Sequence, residues 1–226
     1  STVVVPALLE SATDAGPVAN ATRATGRGEL RLNGRKTGVA YASAATGFLV
    51  NAAADAGAFL FYVPKSASGV SIATTRTVDG GETATLPLTD VRIPAANIVG
   101  GANRGNELAG RMFDTTLLGL SAELLGVMGQ ALETTVEYLK IRKQFDRPIG
   151  SFQALQHRAV DTYVEVESTR SLLFQVCAAA DRGRIEPAMA SAAKARASSA
   201  ALKVTKAAIQ VHGAIGFTDE HDIGLY

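Results

Sequence analysis

This chain has no tryptophan, a single cysteine and three histidines in 226 residues. One cysteine cannot form an internal disulfide, so packing and hydrogen bonding alone must hold the fold. Cys177 lies in the apolar stretch SLLFQVCAAA and reads as a core thiol in a reducing compartment, which makes the cytoplasm the expected location. His157, His212 and His221 stand at no ligand spacing with a carboxylate or the cysteine, so no metal site is expected. Charge of one sign is lacking as well. The formal net charge is +1 and no basic run occurs, which argues against nucleic acid as a partner. No uninterrupted apolar run approaches the roughly 18 residues of a membrane span. There is no G-x-S-x-G elbow for a serine nucleophile. No secretory signal is visible; the chain opens on Ser1 without a methionine, and both ends read as cut.

What is present changes period near residue 100. RLNGRKTGV places Asn33 and Gly34 between two short runs, the signal of a type I′ hairpin. GFLVNAA and AFLFYV are apolar runs of strand length separated by ADAG. SGVSIATTRTV alternates and ends at the turn Asp79-Gly80-Gly81, and ATLPLTDVRIP gives a strand stopped by Pro94. The stretch before Glu29 has weak strand signals and no evident partner sheet. From about Asn103 the period is helical. Leu108, Met112, Leu117, Leu118, Leu124, Leu125 and Met128 recur largely at spacings of three, four and seven, with Asn103 or Asn106 as N-cap. A second helix is expected from about Ser151 to Ala180, a turn at Asp181-Arg182-Gly183, and an Ala-rich third helix from about Glu186 to His212. A further helix is expected to begin in DEHDIGLY. The expected fold class is α+β: an antiparallel β barrel or sandwich over residues 1–102, then an antiparallel helical bundle over residues 103–226.

Two stretches carry candidate chemistry. In YLKIRKQFDRPIGSFQALQH, Arg142 and Lys143 close a helix, either to complement its dipole or to present a fork for phosphate or pyrophosphate. Gln153 and Gln156 follow on the next helix as polar surface. In QVHGAIGF a helix enters two glycines. Gly213 is either a left-handed stop or a place where bare backbone approaches a ligand. GGANRG lacks the Lys-Ser/Thr of a phosphate loop and reads as a junction.

Taken together these stretches resemble the acyl-CoA dehydrogenase family. LRLNGRKTGV resembles its β-domain hairpin, and DVRIPAANIVGGANRG the approach to its long first bundle helix. RKQFDRPIGSFQALQH and QVHGAIGFTDEHDIGLY resemble its two signatures, in order and at the expected distance. The family's N-terminal helical domain and the end of its bundle have no counterpart in these residues. The resemblance implies flavin adenine dinucleotide (FAD) bound at a subunit interface and an acyl-CoA substrate from fatty acid or steroid degradation. On that pattern Arg142, Gln144 and Phe145 meet the pyrophosphate side of FAD, Phe152 and Gln153 follow, and Gln210, Gly213 and Ala214 lie against the adenosine diphosphate (ADP) part.

Departures from the pattern are as informative. The aromatic and hydroxyl residues that contact the flavin ring are replaced by Gly38-Val39-Ala40, and the Thr-Glu-Pro flavin loop survives only as a loose echo in VPALLESATDAGP. One family position for the catalytic glutamate falls beyond Tyr226. The other corresponds to about Thr116, followed by Leu117, and Glu123 two turns on reads as helix surface, so the catalytic residue is unknown. The half of a flavin site that faces a neighbouring subunit is kept while the half serving the chain's own flavin is eroded. This leads to the expectation of a partner subunit in a heteromeric dehydrogenase. The alternatives are a homotetrameric enzyme with its base beyond Tyr226, and a non-enzymatic interaction protein of the same fold.

Overall fold

The computed structural model describes residues 2–226 apart from 12, 15, 20, 27, 28 and 184. Packing divides the chain into two units, Ser1–Phe113 and Asp114–Tyr226. Composition changes near residue 102, but the first turns of helix α1 (Gly105–Ile141) belong to the first unit. There Leu108, Ala109 and Met112 pack with Leu8 and Leu60.

The first unit is built on strands β1 (Val4–Ala7), β2 (Arg23–Thr25), β3 (Leu30–Ala40), β4 (Gly47–Ala54), β5 (Gly57–Pro64), β6 (Ala73–Arg76), β7 (Glu82–Ile93) and β8 (Ile98–Val99). They pair in the order β6-β7-β3-β2-β4-β5-β8, with β1 also on β4. The expected all-antiparallel sheet is corrected to a mixed one, because β1 and β2 both pair with β4 in parallel. No tight turn links either strand to β4, so hairpin geometry does not dictate their direction. The stretch before Glu29 therefore does have sheet partners. Val5 and Ala7 alternate into the core beside Phe48, Val50, Phe61 and Val63.

The hairpin expected at Asn33-Gly34 is also corrected. Both residues lie inside β3, at a register shift against β7 between Leu32 and Gly34. Gly34 has φ 147°, and a Cβ there would stand 2.7 Å from the Thr22 Cα. Asn33 Oδ1 accepts from the Asp90 N–H at 2.9 Å. The pair that favours positive φ in a turn here serves a bulge and a close strand crossing. The expected turns after β4 and β6 do form: Ala54 pairs with Gly57, and Arg76 pairs with Glu82. Neither Asn103 nor Asn106 caps α1. Their Oδ1 atoms accept from the Ala58 and Ala19 N–H groups, and the Arg104 carbonyl accepts the first helical bond, from Leu108 N–H.

A buried ion pair organises the start of this unit. Lys36 has no exposed surface; its Nζ lies 3.0 Å from Glu10 Oε1 and 3.3 Å from the Leu8 carbonyl. Glu10 also accepts from the N–H groups of Ala21 and Thr22 at 2.7 and 2.8 Å. Burial alone would raise the Glu10 carboxyl, but these donors and the ammonium outweigh it and hold its pKa at about 2. Burial pushes the Lys36 ammonium below its ordinary value, against the pull of Glu10.

In the second unit α1 continues and is joined by α2 (Gln153–Asp181) and α3 (Pro187–His212). Each contributes one stripe to a shared core. Leu118, Leu125, Met128 and Ala131 come from α1, Val166, Leu173 and Val176 from α2, and Ala190, Ala193, Ala200, Ala201, Val204 and Ala208 from α3. The small α3 stripe permits close helix approach. Glu165 of α2 meets Arg196 and Lys203 of α3 at 2.7 and 3.0 Å, while Val176 and Ala179 lie near Glu186 and Met189, so these two helices run in opposite directions. By length and composition α1 is apolar enough to cross a bilayer, with a mean hydropathy of 1.2 over 18 residues. Of its apolar residues, Leu118, Leu125, Met128 and Ala131 are buried in the core, whereas Leu120 is exposed. The helix expected in DEHDIGLY is one 3₁₀ turn, Asp222–Leu225.

Candidate functional site

Tyr138 and Arg142 stand one helical turn apart, and the Arg142 N–H donates to the Tyr138 carbonyl at 2.9 Å. The chain then forms a two-strand hairpin, β9 (Lys143–Gln144) with β10 (Arg147–Pro148). Its two-residue loop, Phe145-Asp146, has φ of 52° and 61°, the signature of a type I′ turn. Asp tolerates this region; a bulky residue such as Phe145 is strained there, by about 1–2 kcal/mol. The strained ring is nonetheless 86% exposed. It meets Phe152 edge-on at 6.1 Å, and the Arg147 guanidinium sits 4.1 Å above the Phe152 face. The Ile149 N–H donates to the Arg142 carbonyl at 2.8 Å and closes the hairpin base. Sequence reasoning saw this stretch as chemistry and missed the hairpin, since Phe-Asp is a poor type I′ pair.

The other wall comes from the end of α3. Gly213 has φ 65° and ψ −138° and donates its N–H to the carbonyls of Gln210 and Ile209. A Cβ built there meets nothing within 4 Å. A Cβ on Gly216 would instead stand 2.9 Å from the Ile209 carbonyl oxygen and 3.2 Å from the His212 Cβ. The two glycines of QVHGAIGF thus differ in purpose: Gly213 opens onto free space, whereas Gly216 lets the chain fold back on α3. Gly216→Ala is expected to lower the melting temperature. Gly213→Ala is expected to cost about 1–3 kcal/mol of backbone strain and to place a methyl group in the open space. Thermal melts combined with ligand titration separate these outcomes.

The two walls border an open pocket of about 350 Å³. It brings together six of the expected residues: Arg142, Gln144, Phe145, Phe152, Gly213 and Ala214. Gln153 and Gln210 are exposed and do not line it. Tyr138, Ile149, Leu155, Val211 and His212 line it without having been expected as site residues. The signal available for the first and last of the five was an aromatic four residues before Arg142 and a histidine directly before Gly213.

His212 is 3% exposed. Burial lowers its pKa, the Ala208 carbonyl partly offsets this, and His221 lowers it further. The pocket therefore offers one guanidinium, two aromatic faces and a bare backbone edge, a donor set suited to a nucleoside diphosphate. A second depression of about 330 Å³ includes Gly216, Thr218, Asp219, His221 and Asp222 in its lining. Two carboxylates in its wall make it a poor seat for phosphate.

In the first unit, Gly38 has φ 64° beside the register shift between Lys36 and Val39, and a Cβ there meets nothing within 4 Å. Val39 is buried in the core, and Gly38 and Ala40 are exposed. The stretch thus presents neither ring nor hydroxyl to solvent at 38 and 40. Thr116 and Glu123 are exposed on α1, whereas Asp114 is buried and burial pushes its carboxyl up. No cluster of three or more metal-ligating side chains occurs among the described residues.

Residues 103–226 match the model of the acyl-CoA dehydrogenase C-terminal domain. Acyl-CoA dehydrogenase FadE27 of Mycobacterium tuberculosis is 34% identical over 231 residues, covering 99% of this chain and 60% of that protein. Among solved structures, the ChsE4–ChsE5 complex from Mycobacterium tuberculosis superposes with a TM-score of 0.83 at 31% identity, over 99% of this chain and 59% of that one. The Tcur3481–Tcur3483 steroid ACAD gives 0.84 at 32% identity, over 99% and 60%. The chain belongs to the acyl-CoA dehydrogenase family. It spans about 60% of the length of these relatives.

Proposed function

We propose that this chain is a subunit of an FAD-dependent acyl-CoA dehydrogenase, and that its pocket holds the ADP half of a flavin whose ring is seated mainly on a neighbouring subunit. One contrast carries the reading. Arg142, Phe145, Phe152, Gly213 and Ala214 converge on one pocket, while Gly38-Val39-Ala40 offers no ring or hydroxyl. The residues fit the group: Arg142 meets the pyrophosphate with charge-assisted bonds, the Phe145–Phe152 pair offers a face to a flat heterocycle, and Gly213 leaves its backbone open to it. When bound, the flavin would accept hydride from the β carbon of an acyl-CoA thioester. This chain would hold and orient that cofactor, and the proton-abstracting carboxylate would come from the partner. Two solved relatives, ChsE4–ChsE5 and Tcur3481–Tcur3483, each carry two named components, and one is a steroid ACAD. They support a heteromer, and a steroid or fatty acyl-CoA as substrate.

Co-expression tests this. The full chain should carry little flavin alone and acquire stoichiometric flavin absorbance with an unlike acyl-CoA dehydrogenase subunit. A homo-oligomer that holds full flavin and dehydrogenates acyl-CoA by itself would favour the homotetrameric enzyme instead.

A further inference from the structure

Tyr138 and His212 stand between the two helix ends that form the pocket. Tyr138 accepts from the Arg142 N–H through its carbonyl at 2.9 Å, so it shares a turn with the pocket's cation. Its ring stacks on His212 with centroids 4.3 Å apart and planes 26° apart. Its hydroxyl donates to the His212 carbonyl, directly before Gly213, at 3.4 Å. His212 is itself pinned. Its Nδ1 lies 2.8 Å from the Ala208 carbonyl, which only accepts, so Nδ1 carries the proton and Nε2 is a bare acceptor. That Nε2 is buried without a partner, an arrangement that costs about 1–3 kcal/mol and that a leucine or phenylalanine would avoid.

On the reading of the pocket as a nucleotide site, we propose that Tyr138 and His212 are positioning residues. Their stack and hydroxyl bond lock the end of α3 to the end of α1, so that Arg142 and the Gly213–Ala214 edge meet the same nucleoside diphosphate. Neither side chain needs to touch the phosphates. Each acts on the ligand through the peptide or helical turn it holds, and an error of an ångström there weakens every contact at once.

The test uses the full chain with ADP as probe, read by amide hydrogen exchange over 213–217 and by ADP titration. Tyr138→Leu and, independently, His212→Leu should accelerate exchange in that segment and weaken ADP binding about tenfold. Tyr138→Phe keeps the stack but loses the hydroxyl bond, so it should fall between the wild type and Tyr138→Leu in both readouts. Val166→Ala, which loosens the helical core elsewhere, should lower the melting temperature and leave both readouts unchanged. Wild-type exchange over 213–217 in both leucine variants overturns the proposal, as does faster exchange with unchanged ADP affinity. An ADP affinity indifferent to Arg142→Ala sinks the nucleotide reading instead, and the exchange data then judge the lock alone.

Discussion

Replacing Arg142 with alanine should weaken ADP and FAD binding about 10- to 100-fold, the worth of one or two charge-assisted hydrogen bonds to a diphosphate. Arg142 directly follows the last residue of α1. Its plainest alternative role is to complement the helix dipole, which contributes about 0.3–1 kcal/mol. The two roles separate cleanly. A dipole role predicts a slightly lower melting temperature and unchanged ligand affinity, and a ligand role predicts the reverse. Arg142→Lys sharpens the distinction further. It restores the charge for the dipole but replaces a planar fork by a point charge, so binding should recover only in part. Isothermal titration with the folded variants reads both effects.

Replacing Glu10 with alanine should destabilise the first unit by about 3–5 kcal/mol, because it strands Lys36 as a buried, unpaired cation. It also leaves the Ala21 and Thr22 N–H groups without the carboxylate they donate to. Lys36→Met should cost less, since Glu10 would keep both backbone donors. The double variant Glu10→Ala/Lys36→Met should be more stable than the sum of the single losses implies. The same pair sets an acid limit. The Glu10 pKa falls from an ordinary 4.5 to about 2 on folding, so the carboxylate form stabilises the fold. That contribution, about 3 kcal/mol, is fully present above pH 4.5 and is lost as pH falls through about 2. Urea denaturation at several pH values should show the wild type weakening over this window. Glu10→Ala should show a flatter profile there. An unchanged profile would mean that the pair does not set the acid limit.

Much of this architecture was legible where one residue type has one physical meaning. Pro94 marks a real stop, Gly80 a real turn, and the Ala stripe of α3 a real close-packed face. The reading failed where a residue has two uses. Asn33-Gly34 serves a bulge as well as it serves a hairpin, and only the approach of Thr22, just before β2, decides which. Asn103 and Asn106 have the chemistry of caps but are claimed by the Ala58 and Ala19 amides. Parallel pairing of β1 and β2 with β4 leaves no local trace, because no tight turn specifies it. In the pocket, a basic residue at a helix end and a glycine after one are each common, and Arg142 and Gly213 stand out because the stretches that carry them resemble two signatures of one family. Tyr138 and His212 do not. A ring stack between residues 74 positions apart has no periodicity to betray it, and an orphaned Nε2 exists only once the helices are packed.

Competition between nucleotides tests the central claim most directly: that this chain holds the ADP half of a flavin. With the full chain and FAD as reporter, ADP should displace FAD, and flavin mononucleotide, which lacks the adenosine, should not. Displacement by flavin mononucleotide with indifference to ADP would place the ring on this chain and contradict the account.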